Sequence, residues 1–142
     1  MKRLLVLHLI LILILFTAGC KKEISNELSP YDNLNPTSDI TLSVNKINSQ
    51  KKQLTLLLTN ETLTELSCDG TYSLEENRDG NWYVLNAEQY FNAIGYILEP
   101  KMTSKMIVTW ENELSDGEYR IIKPIFINGD TEYFSVSFKL GK

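Results

Sequence analysis

The side chains best able to do chemistry in this chain are two thiols, Cys20 and Cys68, and a single imidazole, His8. His8 sits in the apolar run Leu4 to Phe16, so no histidine follows it. That removes serine–histidine and cysteine–histidine nucleophiles and the commonest zinc and copper ligand sets. Ser49-Gln50-Lys51-Lys52 has the Ser-x-x-Lys order of acyl-transferring serine enzymes. Those enzymes set the motif at a helix start, where the lysine reaches the serine; here it falls in a turn between strands. Glu75 and Glu76 are adjacent acids. Neighbours on a strand point to opposite faces, which excludes the paired carboxylates of a glycosidase. Asp79, Asp116 and Asp130 fall in three separate turns, without the closely repeated aspartates of a calcium loop. No catalytic residue, no metal ligand and no cofactor is expected.

What remains is Cys20. Lys2 and Arg3 are basic, Leu4 to Phe16 is a 13-residue apolar core, and Thr17, Ala18 and Gly19 are small. This is the three-part layout of a secretory signal. Its core falls short of the roughly 20 residues that span a bilayer. Thr17-Ala18-Gly19-Cys20 resembles the lipobox of bacterial lipoproteins, with Thr17 where leucine is usual. The resemblance implies cleavage between Gly19 and Cys20 and a diacylglycerol on the Cys20 sulfur. Small residues before the cut admit the chain to a peptidase, and the thiol carries the lipid. One acyl chain binds a membrane marginally, and two or more hold it stably. The expected location is therefore the extracytoplasmic face of a cell membrane, with the membrane as a partner through Cys20.

Removing residues 1–19 removes two basic residues and no acid, and takes the net charge from −4 to −6. An acidic chain without a basic cluster argues against nucleic acid, whose binding rests on phosphate neutralisation. It also argues against the domain lying on an anionic lipid surface. With Cys20 alkylated, Cys68 has no partner within the chain. It reads as a small buried apolar residue rather than a reactive thiol. Asn60-Glu61-Thr62 fits a glycan-acceptor pattern, incidental in a bacterial lipoprotein.

Behind the cysteine the chain divides in two. Residues 20–38 are polar, with Pro30 and Pro36, and lack any apolar period; they read as a flexible linker. Residues 39–142 alternate apolar and polar side chains, as in Ile40-Thr41-Leu42-Ser43-Val44 and Phe134-Ser135-Val136-Ser137-Phe138. The alternation predicts about eight short strands. Asn77-Arg78-Asp79-Gly80 and Asn128-Gly129 are hairpin signals, and Ala87 to Asn92 is the one helical candidate. Many short strands with turns at this spacing predict an all-β sandwich or barrel. Trp82, Tyr83, Tyr90, Phe91 and Tyr96 read chiefly as core and sheet filling, with Trp82 and Trp110 as core tryptophans.

Several segments occur together in order: Tyr72-Ser73-Leu74-Glu75, Asp79-Gly80-Asn81-Trp82-Tyr83, Leu98-Glu99-Pro100, Trp110, Gly117-Glu118-Tyr119-Arg120-Ile121-Ile122-Lys123 and Phe138. Together they resemble a bacterial immunoglobulin-like domain of Gram-positive surface lipoproteins. The resemblance implies an antiparallel β-sandwich of 7–8 strands and a surface location, and no established activity. Tyr119, two residues after Gly117, has the placement of a tyrosine corner, whose hydroxyl bonds back to the preceding bend. With Leu74, Tyr119 and Ile121 facing the core, Glu75 and Arg120 face outward on neighbouring strands. They are predicted to form an exposed cross-strand ion pair, worth well under about 1 kcal/mol.

The functional expectation is a lipid-anchored cell-surface protein whose immunoglobulin-like domain is a non-catalytic binding or accessory module. Its ligand would be an extracellular protein or a cell-wall glycan. The other reading is a structural spacer lipoprotein without a dedicated ligand.

Overall fold

The computed structural model describes residues 27–85 and 95–141. Among them nine strands are formed: β1 (Ile40–Asn48), β2 (Gln53–Asn60), β3 (Leu66–Cys68), β4 (Ser73–Arg78), β5 (Asn81–Val84), β6 (Tyr96–Leu98), β7 (Thr103–Thr109), β8 (Gly117–Ile127) and β9 (Asp130–Leu140). One sheet is β1-β2-β7. The other runs β5-β4-β8-β9, with β3 meeting β8 at Phe126 and β6 lying beyond β3. All pairings are antiparallel. The two sheets make the all-β immunoglobulin-like sandwich.

Alternation explains the core. Leu54, Leu56 and Leu58 on β2 are fully buried, and Leu74, Tyr119, Ile121, Ile125, Phe134 and Phe138 meet them from the facing sheet. Each such side chain contributes on the order of 2 kcal/mol on leaving water. Phe138 stacks on Trp110 at 6.4 Å and on Tyr119 at 5.7 Å. Two hairpins turn on two residues each, Asp79-Gly80 and Asn128-Gly129, all four with positive φ. That backbone matches the right-handed strand twist, and Asp, Asn and Gly tolerate it at low cost.

β3 has no counterpart among the strands read from the sequence, because three residues are too few to display a period. In β1 the register slips between Val44 and Lys46. This bulge turns Lys46 outward and lets Ile47 pack against the core. The helical candidate Ala87 to Asn92 lies outside the described residues, as do Tyr90 and Phe91.

Candidate functional site: a clamped strap on the outer sheet face

Composition reads residues 20–38 as a free linker, but from Glu27 onward the chain is bonded to the sheet. Val84 donates its amide to the Glu27 carbonyl and Ser29 donates to the Trp82 carbonyl, both at 2.9 Å. Leu28 stands opposite Tyr83, so these residues extend the β5 edge. Six residues on, Asn35 donates to the Tyr133 carbonyl at 2.9 Å on β9, the far strand. The Asn35 side chain accepts from the Ser135 amide at 2.8 Å and donates to the Ser135 hydroxyl at 3.1 Å. The segment is a strap crossing the outer face of the sheet. The cause is local: unpaired backbone groups on a strand edge need partners, and Ser29 and Asn35 supply short polar arms. Tyr31 lies against Tyr133, ring centroids 4.8 Å apart. Burial pushes its phenol above the usual tyrosine range, and the neighbouring Tyr133 and Glu75 add to that.

Under the strap lie Glu75 and Arg120, opposite one another in the β4–β8 register. Arg120 Nε and Nη2 both stand 2.7 Å from Glu75 Oε2. Ser29 Oγ donates to Glu75 Oε1 at 2.9 Å and accepts from Arg120 Nη2 at 3.0 Å. The guanidinium lies over the Trp82 ring, 4.4 Å from its centroid. The expectation of an exposed pair is corrected here: the Glu75 side chain is 0 % exposed and that of Arg120 11 %. Both point away from the core, as the alternation requires. The strap and Trp82 cover that outer face and exclude water from it. Trp82, expected in the core, instead roofs this cluster, while Trp110 is buried in the core.

Tyr119 donates its hydroxyl to the Ser115 carbonyl at 2.8 Å, four residues upstream, and is 1 % exposed. Burial pushes its phenol upward, with the Ser115 bond opposing. Two polar hubs escaped the sequence reading. Lys123 is buried on the inner face, and its ammonium donates to the carbonyls of Asp69 at 2.7 Å and Thr71 at 2.8 Å. Burial pushes its pKa down, offset in part by Cys68 and Asp69. Burial would raise the Asp69 carboxyl, but bonds from Thr71 and the Lys123 charge hold it below its ordinary value. Asn60 is fully buried and donates to the carbonyls of Thr64, Leu98 and Glu99. An amide so engaged cannot also carry a glycan.

Cys68 is buried beside Lys123, and burial pushes its thiol pKa up, which leaves it a poor nucleophile. Among the described residues no three His, Cys, Asp or Glu side chains gather as a metal site. Gly19 and Cys20 lie outside the described residues. What the described residues bring together is a buried ion pair bonded to the segment that follows Cys20 in the chain.

A family model described as a bacterial Ig-like domain matches residues 35–139. The chain belongs to that family. Its members share the sandwich, and the match begins at Asn35, so most of the strap lies before it. No curated protein matches the chain. Among solved structures it is similar to the archaellum periplasmic stator protein FlaG from Sulfolobus acidocaldarius, at 16% identity and TM-score 0.44, over 70% of this chain and 99% of that one. It is also similar to a protein from Archaeoglobus fulgidus, at 13% identity and TM-score 0.36, over 72% of this chain and 96% of that one.

Proposed function

We propose that this Ig-like protein is a lipoprotein held on the extracytoplasmic face of a bacterial membrane by lipid on Cys20. Its sandwich serves there as a non-catalytic binding or accessory module for an extracellular protein or a cell-wall glycan. The observation that carries this reading is the strap. From Glu27 the chain is bonded across four strands and pinned by a buried ion pair, so on this reading the domain is fastened close to its anchor. Seven peptide steps separate Cys20 from Glu27, which span at most about 25 Å. The domain is thereby kept near the bilayer rather than projected far from it. A Gram-positive host fits the family resemblance.

Fractionation of cells expressing Cys20→Ala tests the anchor. The variant is expected in the medium or as an uncleaved precursor. A cleaved Cys20→Ala form that stays with the membrane overturns the reading.

A further inference from the structure

The strands and turns of the smaller sheet carry no acidic residue. Residues 40–60 and 100–110, which build β1, β2, β7 and their turns, hold five lysines and no acidic residue. The rest of the chain after Gly19 holds all eighteen acids against seven basic residues. Lys52 is paired with Glu113 at 2.8 Å and Lys101 with Glu61 at 3.5 Å. Lys46, Lys51 and Lys105 are exposed and make no ion pair among the described residues. The register lays the outward side chains in rows: Ser43, Leu57 and Lys105 form one, and Lys46, Thr55 and Ile107 the next. The β1 bulge brings Lys46 to this face. Ile107 lies two residues from Lys105 on β7, across Thr55 from Lys46, with 64 % of its surface exposed. The strands of this face carry no carboxylate of their own; Glu113 and Glu61 at its border are each taken up by a lysine, and the free lysines with a protruding apolar side chain complement an anionic surface.

The net charge of −6, which taken over the whole chain argues against an anionic lipid surface, is outweighed at this face by the placement of the charges. At physiological salt the screening length is about 8 Å, and packed sheets stand about 10 Å apart. A surface touching β1, β2 and β7 is thus largely screened from the acids of the far sheet, such as Glu76, Glu118 and Glu132, while Glu61 and Glu113 at its border are held by Lys101 and Lys52. On the anchoring reading above, the tether leaves from Glu27 at the β5 edge of the opposite sheet and reaches at most about 25 Å, enough to pass the roughly 10 Å between packed sheets, so headgroups are the anion this face meets at the highest effective concentration. We propose that the outward face of β1, β2 and β7 rests on the anionic phospholipid of the membrane that holds the Cys20 lipid. The inference rests on that anchoring reading for its choice of anion.

Flotation with vesicles tests it. The chain from Lys21 keeps every described residue and carries no lipid. It is expected to bind vesicles containing phosphatidylglycerol, not pure phosphatidylcholine, and to be released by high salt. Each lysine near such a surface strengthens binding about fivefold, so Lys46→Glu with Lys105→Glu is expected to weaken it at least about 20-fold. Lys51→Glu, on the hairpin tip of the same sheet, weakens it less, and Lys139→Glu on β9 leaves it unchanged. An unaltered unfolding temperature verifies that these exposed substitutions leave the fold intact. Three results overturn the proposal: no binding to anionic vesicles, a double variant that binds like the parent, or an equal loss in Lys139→Glu. Binding to soluble polyglutamate but not to vesicles also overturns it, and marks the face as a site for an acidic polymer. The assay needs no lipid on the protein, so its failure is separate from a failure of the Cys20→Ala fractionation.

Discussion

Replacing Arg120 by leucine removes the cation from beneath the strap and leaves Glu75 with no counter-charge. The Glu75 side chain has no solvent exposure, and both of its contacts to Arg120 run to Oε2 at 2.7 Å. What remains is the Ser29 hydroxyl at 2.9 Å on Oε1, with Ser73 at 3.5 Å. Removing one partner of a buried pair costs about 3–5 kcal/mol. Ser29 keeps one bond, and the strap can open to admit water, so the lower end, about 3 kcal/mol, is expected. For a domain of this size that corresponds to a fall in unfolding temperature of about 10 °C. Thermal or urea unfolding followed by circular dichroism measures it. Replacing both charges, Glu75→Leu with Arg120→Leu, is expected to recover most of the loss, because two well-packed apolar groups leave no uncompensated charge. A single variant that loses under about 1 kcal/mol, the scale of an exposed pair, refutes the buried clamp. So does a double variant no more stable than the single.

The clamp also sets where the folded domain begins. A chain starting at Asp39 lacks the strap's bonds to β5 and β9 and is expected to be about 2–4 kcal/mol less stable than one starting at Glu27, from hydrogen bonds of about 1 kcal/mol each. Its Trp82 fluorescence shifts to the red as the indole meets water, and equal stability of the two chains contradicts the strap. Tyr119→Phe deletes the bond to Ser115 and is expected to cost about 1–2 kcal/mol at neutral pH. The Tyr119 pKa is raised in the folded state, so its contribution is whole below pH 10 and is lost as pH climbs through the raised value. The stability gap between parent and Tyr119→Phe therefore narrows above pH 10, and a gap that widens there contradicts the assignment. Cys68 is expected to resist a thiol reagent in the native protein and to react once urea unfolds it; rapid native labelling contradicts its burial.

The long strands were legible because each carries enough alternating residues to show a period, and Asn128-Gly129 announces its own hairpin. β3 was not, since Leu66–Cys68 is one step longer than a single contrast of inside and outside. The pairing of Glu75 with Arg120 follows from alternation on neighbouring strands. Their burial depends on Ser29, 46 and 91 residues away, and no local pattern reports such a cover. The strap is opaque for the same reason: it is held by backbone groups, Ser29 and Asn35, which look like any polar linker. Lys123 was legible and overlooked. Tyr119, Ile121, Lys123 and Ile125 share one face by alternation, and the habit of placing lysine in water obscures what that face requires. The absence of acids from the smaller sheet is likewise written in residues 40–60 and 100–110, but net charge alone conceals it.

Mass spectrometry of the N-terminal peptide from native membranes bears most directly on the account. Anchoring through Cys20 requires a mature chain that begins at that residue, with a diacylglycerol thioether on its sulfur. A chain that retains residues 1–19, or one that begins at Cys20 with a free thiol, contradicts it.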